Sequence, residues 1–316
     1  MKTIFCILFS MSLLFTLPCC SSDEDNSSVI NDGRIPRQLT ITQHDVSTRS
    51  LNELTRASLF LKNDGTLGAS WQAGDKLTYC NLSCLYLYQI GAVSEVIGTL
   101  EAENDGLNSN LSGSVSCTNG DNLVVIYPTK GTFVTTTNDA TYTFPLCGQN
   151  GKLDDLAANY HLICGLVPVE VDNPNDKIAK GSITMKSLLA VCKFSFVDSN
   201  NNEKIPIDVL TISYGNNQYN YNDQDTYPQS VSFTVSESIQ QNLIEAKGVV
   251  SNDKLVINPM DIENEVYVVL APTRTRSFVF CVQSSNGEMY SGTFEDEING
   301  DEFIDATGLP LTKVTN

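Results

Sequence analysis

Short alternating patterns, interrupted by turn residues about every ten positions, limit the fold of this chain more than any other feature of its sequence. Apolar and polar residues alternate over 38–43, 210–214 and 231–235, which is typical of strands with one buried face. Asn286-Gly287 lies between two apolar runs and favours a tight hairpin. The pattern predicts an all-β fold built from packed sheets. Two runs carry further expectations, since 79–90 predicts continued strand and 154–160 a short helix.

A chain of 316 residues is long for one β-sandwich and natural for two. The run at 171–177, with Pro174 among Asp and Asn residues, is the best candidate for a domain boundary. We therefore expect two tandem β-sandwich domains after an export signal. The predicted divisions are a lipoprotein signal peptide at 1–19, a flexible tether at 20–37, an N-terminal domain at 38–176 and a C-terminal domain at 177–316.

The N-terminus has the plan of a secretory signal, with Lys2 followed by a largely apolar run at 4–17. This run is too short to span a bilayer as a stable helix, which needs about 20 residues. Leu17 lies three positions before Cys20 and resembles a bacterial lipobox, so we expect Cys20 to be acylated and to become the mature N-terminus. Cys19 is the alternative lipidation site, and an ordinary secretory signal is the alternative to lipidation.

Three acidic residues, Asp23, Glu24 and Asp25, follow the lipidation site. A run rich in Ser, Asp and Glu at this place resembles the surface-export signal of lipoproteins in some Gram-negative bacteria. It predicts a lipid-anchored location at the cell surface, with the acylated cysteine held in outer-membrane lipid. A solvated acidic tether without an export role is the alternative.

The composition favours a folded, acidic protein that does not bind nucleic acid. The hydrophobic fraction of 41% is high enough to form hydrophobic cores. The formal net charge of −18 repels the phosphate backbone of nucleic acids. Seven cysteines follow the lipobox, and an odd number cannot pair completely within one chain. We expect most of them to be unpaired core thiols.

Little in the sequence indicates catalysis. Only two histidines occur, which leaves little material for a histidine-based metal site or a Ser-His-Asp triad. His161 and Cys164 have a spacing that could bind a metal, but a histidine packed on a strand is the favoured interpretation. We predict no enzymatic activity, no metal and no cofactor.

One loop has the residue types of a carbohydrate site. Tyr219 and Tyr221 lie among Asn, Gln and Asp residues within 214–227, and aromatic faces beside amides and carboxylates can hold sugar rings. An exposed loop without a ligand is the favoured interpretation. If the site is real, the protein is a monomeric surface lipoprotein that captures glycans.

Four motifs occur in an informative order along the chain. The first is Trp71-x-x-Gly74-Asp75-Lys76-Leu77, and the others lie at 113–128, 187–194 and 266–290. Together they resemble the fimbrillin family, the lipoprotein-derived subunits of type V pili and related surface proteins. The likeness spans nearly all of the mature chain. The ending at 303–316 departs from it, because its polarity and Pro310 leave a last strand poorly marked.

The resemblance implies two transthyretin-like β-sandwiches without catalysis, in a pilus subunit or tip adhesin. It also implies strand exchange with other pilus subunits or another copy, release into pili, and contact with a host protein or glycan. In fimbrillins, cutting at an arginine frees a strand; here Arg56 is the first candidate and Arg49 the second. The donor strand would be 309–316. The alternative is an uncleaved monomer in which both arginines are ordinary loop residues.

Overall fold

The computed structural model describes residues 32–43, 58–63, 67–215, 225–236, 246–249 and 253–315. Almost all of its regular structure is β-strand, which confirms the predicted all-β class. The strands are β1 (Ile35–Gln43), β2 (Ser58–Leu61), β3 (Leu67–Ser70), β4 (Lys76–Asn81), β5 (Ile97–Ala102), β6 (Leu111–Cys117), β7 (Asn122–Tyr127), β8 (Thr132–Thr135), β9 (Asp139–Pro145), β10 (Ile163–Glu170), β11 (Ile178–Ile183), β12 (Lys186–Ser187), β13 (Ala190–Asp198), β14 (Ile207–Tyr214), β15 (Ser230–Ser236), β16 (Lys247–Val249), β17 (Leu255–Ile257), β18 (Val266–Leu270), β19 (Thr273–Ser284), β20 (Met289–Ile298) and β21 (Phe303–Lys313). The helices are α1 (Leu85–Gln89) and α2 (Leu153–Asn159).

The first sheet closes on itself to form a barrel. Its strands follow the order β11-β1-β6-β5-β4-β7-β10, and β10 pairs again with β11 at Val169 and Glu170. A Cβ atom at Gly181 would lie 2.5 Å from Cγ1 of Val167, so glycine lets β10 and β11 approach at the closure. The short strand β12 adds to the other end of β10. This closure pairs the edges of β10 and β11 with each other, whereas β12 remains an end strand of the sheet.

Inward-facing side chains fill the barrel, because successive residues of a strand point to opposite faces. Trp71 and Tyr127 pack edge to face in this core, with ring centroids 5.5 Å apart. Most of the remaining core is aliphatic and includes Leu39, Ile41 and Leu77, all fully buried.

The second sheet has seven strands in the order β17-β14-β19-β20-β21-β13-β18. A third sheet has the order β16-β15-β9-β8, and β2 pairs with β3. The second and third sheets share a core rich in aromatic side chains, where the rings of Phe194 and Phe280 lie 5.0 Å apart. The outward face of the barrel, with Val124 and Ile126, contributes to the same core. The structure thus contains two β-sheet bodies, in agreement with the predicted pair of β-domains.

Strands from both sides of the predicted boundary at 176/177 share sheets. β9 pairs with β15 over seven residues, and β11 and β12 both pair with β10 in the first sheet. The polar run at 171–177 is the turn that joins β10 to β11, closed by a hydrogen bond of 3.1 Å from Asn173 N to Oδ2 of Asp176. Its turn residues mark a chain reversal within one sheet, because a tight turn and a linker have the same local composition.

The continued strand predicted over 79–90 is wrong beyond Asn81. The Oδ1 atom of Asn81 accepts a hydrogen bond of 3.1 Å from Ser83 N, and this cap starts a 3-10 turn at Leu82–Cys84 that leads into α1. The short helix predicted at 154–160 is confirmed as α2.

The cysteine prediction is confirmed. All seven cysteines of the described chain are free thiols, and five of them are buried: Cys80, Cys84, Cys117, Cys164 and Cys192. Burial raises the pKa of the Cys80 and Cys164 thiols to about 12, so they are protonated, small apolar core residues at neutral pH.

Candidate assembly strands

β1 is the first strand of the described residues and lies inside the barrel wall. It pairs antiparallel with β6 over seven residues and parallel with β11 over six. Both of its edges are therefore hydrogen bonded. Taking β1 out of this wall would leave a groove between β6 and β11 with unpaired backbone groups on both sides.

Alternate residues of β1 point into the barrel. Leu39 and Ile41 are fully buried, with Arg37 before them and Gln43 after them on the same face. Oε1 of Gln43 accepts a hydrogen bond of 2.7 Å from Nε1 of Trp71. β1 thus presents a cation, two apolar side chains and an amide to the interior. Burial of each apolar side chain contributes about 1.5–3 kcal/mol to holding the strand.

Arg37 closes one end of the barrel, where only 1% of its surface is exposed. Its Nε donates to the Cys117 carbonyl at 3.0 Å, and its Nη2 donates to the Pro174 carbonyl at 2.6 Å. These bonds tie β1 to β6 and to the turn after β10. The alternating run at 38–43 starts one residue too late to include Arg37, although its spacing of two residues from Leu39 is the signal that places it inward.

A second arginine, Arg34, forms a clasp with Asp32 and Asp121 just before β1. Its Nη2 and Nε donate to the two carboxylate oxygens of Asp121 at 2.6 and 2.9 Å, and its Nη1 donates to Asp32 at 2.6 Å. Asp121 also accepts hydrogen bonds from Asn81 and from the backbone of Thr118. Bidentate arginine–carboxylate pairs are among the stronger polar contacts in proteins. This Arg34 clasp joins the start of β1 to the turn before β7.

The electrostatics of the Arg34 clasp favour the charged carboxylate. Burial opposes ionisation of Asp32, but its hydrogen bonds and charge contact with Arg34 outweigh burial and lower the pKa of that carboxyl below 3.8. The side chain of Asp121 is only 3% exposed and that of Arg34 is 11% exposed, so water screens their attraction weakly.

β21 has an equally interior position in the second sheet. It pairs parallel with β13 and antiparallel with β20, and Leu311 on it is fully buried. A register shift between Phe194 and Phe196 of β13 interrupts the pairing, and Gly308 has a φ of +73°. The C-terminal stretch at 303–316, which the sequence marks poorly as a strand, thus contains a strand of 11 residues, β21. Its polar and apolar residues do not alternate cleanly because the irregularity breaks the two-residue period.

The Trp71-to-Leu77 motif folds a turn at the end of the barrel. Trp71 N donates to the Gly106 carbonyl at 2.9 Å, and Oδ2 of Asp75 accepts from Gln72 N at 2.6 Å. Gly74 has a φ of +87°, which glycine adopts without strain. The motif thus shapes the chain that leads into β4.

Every site residue predicted from the sequence lies outside the described residues. These are the lipidation site Cys20, the acidic residues Asp23, Glu24 and Asp25, the cleavage candidates Arg49 and Arg56, and the loop tyrosines Tyr219 and Tyr221. The described residues on either side of the two arginines are Gln43 and Ser58. All of these sites stay predictions.

No group of three or more His, Cys, Asp or Glu side chains in the described ranges could hold a metal ion. His161 and Cys164 are both buried, at 1% and 2% exposure. Among the helices of the same ranges, none is long and apolar enough to cross a membrane.

Comparison with known proteins relates this chain to others through its fold. No family model and no curated protein sequence matches it. The structural match to a candidate cell adhesion protein from Bacteroides uniformis covers 90% of this chain and 98% of that protein, with a TM-score of 0.51 and 12% sequence identity. The match to a second candidate cell adhesion protein, from Bacteroides ovatus, covers 89% of this chain and 97% of that protein, with a TM-score of 0.45 and 12% sequence identity. The chain is thus an all-β protein that shares the fold of the Bacteroides uniformis protein.

Proposed function

We propose that this chain is a structural or adhesive surface protein, a pilus subunit or tip adhesin that assembles by strand exchange. The position of β1 carries the proposal: a fully paired strand of the barrel wall is followed by a segment with Arg49 and Arg56. The shared fold with a candidate cell adhesion protein supports it.

Cleavage after Arg56 or Arg49 would cut the covalent link between β1 and the rest of the barrel. The backbone pairing, the buried Leu39 and Ile41, the arginine contacts and the hydrogen bond between Gln43 and Trp71 would then retain β1. Once it leaves, β6 and β11 offer unpaired edges that a strand from a second subunit satisfies by main-chain hydrogen bonds. Arg34 and Arg37 are too buried to compete as cleavage sites.

The segment 309–316 is the proposed donor. Leu309 and Leu311 are spaced like Leu39 and Ile41, so they could fill the same two interior positions. In the uncleaved subunit residues 309–313 of this segment belong to β21 and Leu311 is buried, so the donor must detach from β13 and β20 before it can be exchanged.

Acylation of Cys20 supplies the proposed anchor to the outer membrane, and Asp23, Glu24 and Asp25 the proposed export signal. The Cys20→Ala precursor should stay uncleaved and should not incorporate labelled palmitate. Labelling that persists in Cys20→Ala and disappears in Cys19→Ala would assign the lipid to Cys19.

A reversible disulfide tests whether β1 has to leave. Gln38 and Ser114 lie directly opposite each other on β1 and β6, and both are exposed. Opposed residues of antiparallel strands have Cα separations of about 4.5–5.5 Å, which suits a disulfide. The Gln38→Cys/Ser114→Cys variant should therefore fix β1 in the barrel.

The variant and the unmodified protein are digested lightly with an Arg-specific protease and run unheated on a denaturing gel. We expect a ladder from the unmodified protein, none from the oxidised variant, and its return on reduction. The Arg49→Ala/Arg56→Ala variant should form no ladder. A ladder from the oxidised variant, or a cleaved protein that stays monomeric, would overturn the proposal.

A further inference from the structure

A groove of about 540 Å³ lies between two sheet edges, away from β1. One side is formed by β12, the end strand of the first sheet, and the other by β16, the end strand of the third. The start of β19, the end of β20 and the turn between β20 and β21 complete its lining. A volume of this size is within the usual range of ligand sites, about 300–1,000 Å³.

Both flanking strands have an open side. β16 pairs only with β15 and β12 only with β10, as far as the described strands go. All three residues of β16, including Gly248, are exposed. The unpaired edge of such a strand presents N–H and C=O groups to an incoming extended chain.

Three cations line the groove: Lys186, Lys247 and Arg274. All are exposed, and none of them forms an ion pair with a residue in the described ranges. Glu297 and Asp301 are also among the described lining residues, so these five ionisable side chains together carry one net positive charge, in a chain whose formal net charge is −18. This local reversal of sign attracts carboxylates. None of the lining residues that the structure describes is aromatic, so these residues offer no stacking platform for a sugar.

We infer that this groove binds an extended, acidic peptide segment of a partner protein by strand addition to β16. The backbone of the segment extends the third sheet, and its carboxylates face Lys186, Lys247 and Arg274. The site is independent of the proposed strand exchange, because it lies on other strands and needs no cleavage.

A synthetic peptide of alternating Glu and Val residues, labelled with a fluorophore, serves as the probe. Its binding to the uncleaved mature protein is followed by fluorescence anisotropy at low salt. We expect saturable binding that weakens as salt is added, since screening acts on exposed charges. A peptide with Gln in place of Glu should bind about tenfold more weakly, and one N-methylated at alternate backbone nitrogens should not bind.

The matched protein variants separate this groove from general charge attraction. Lys186→Glu/Lys247→Glu should weaken binding about tenfold or more, whereas Lys254→Glu, at an exposed lysine outside the groove, should change it less than about twofold. Circular dichroism checks that the variants fold. Three results would each overturn the inference. One is an equal loss of affinity in the groove and control variants, the second is undiminished binding of the N-methylated peptide, and the third is no binding at millimolar peptide.

Discussion

The side-chain amide of Gln149 forms hydrogen bonds in both directions with the backbone of Val269. Its Nε2 donates to the Val269 carbonyl at 3.0 Å, and its Oε1 accepts from the Val269 amide at 2.7 Å. The Gly151 carbonyl accepts a further bond from Tyr267 N at 2.8 Å. β18 is the end strand of the second sheet, so the loop before α2 covers an edge that would otherwise be open.

The Gln149→Ala variant should be less stable by about 2–3 kcal/mol, because Val269 loses two buried partners and cannot regain both from water. Chemical denaturation of the purified protein measures this loss. The control Gln72→Ala, at an exposed glutamine, should change stability by less than about 0.5 kcal/mol. A Gln149→Ala protein as stable as the control would show that the hydrogen bonds of Gln149 to Val269 do not stabilise the edge of β18.

The Arg34 clasp should stabilise the barrel through coupling of its two partners. Arg34→Ala alone should cost about 2–4 kcal/mol, because it leaves the buried Asp121 carboxylate without its counter-ion. In a double-mutant cycle with Asp121→Ala, we expect a coupling energy of about 1–3 kcal/mol between the two residues. Additive effects of the two substitutions would contradict a direct contribution of the pair.

The buried thiols and phenols should make the protein sensitive to alkali. Burial raises the pKa of Cys80, Cys164 and Tyr142 to about 12, from ordinary values of 9.0 for the thiols and 10.0 for the phenol. The unfolded chain therefore releases these protons first, and the stability that they contribute is full below pH 9 and lost as the pH rises towards 12.

Denaturant titrations between pH 7 and 11 measure this dependence as the free energy of unfolding. Cys164→Ala should lower stability at pH 7 but flatten its decline above pH 9. Val125→Ala, a core truncation without a thiol, should lower stability while leaving the decline as steep as in the unmodified protein. An unchanged slope in Cys164→Ala would show that this thiol does not titrate as burial implies.

The last strand should be essential for the second sheet. Leu311→Ala should cost about 2–5 kcal/mol, since it empties a fully buried site between β13 and β20. Thr312→Ala, at the exposed neighbouring position, should cost less than about 1 kcal/mol. Equal stabilities of the two variants would mean that β21 is held by its backbone pairing alone.

The sequence by itself determined the class of fold and the course of many strands. The alternation of Leu39 and Ile41 with polar residues fixes the face that β1 buries, and Asn286-Gly287 dictates the hairpin between β19 and β20. The short helix α2 and the free core thiols also follow from local composition. These features depend on neighbours within a few residues, which is the range over which a sequence pattern carries information.

Only the tertiary structure decided which strands share a sheet. Nothing near Asp139 in the chain indicates that β9 pairs with β15 some ninety residues later, or that β11 closes the barrel beyond a turn that looks like a linker. Arg34 and Asp121 are likewise far apart in the sequence, as are Gln149 and Val269, which are joined by hydrogen bonds. Such contacts form between groups that the complete fold brings together, because a buried donor or edge is satisfied by whichever partner lies close in space.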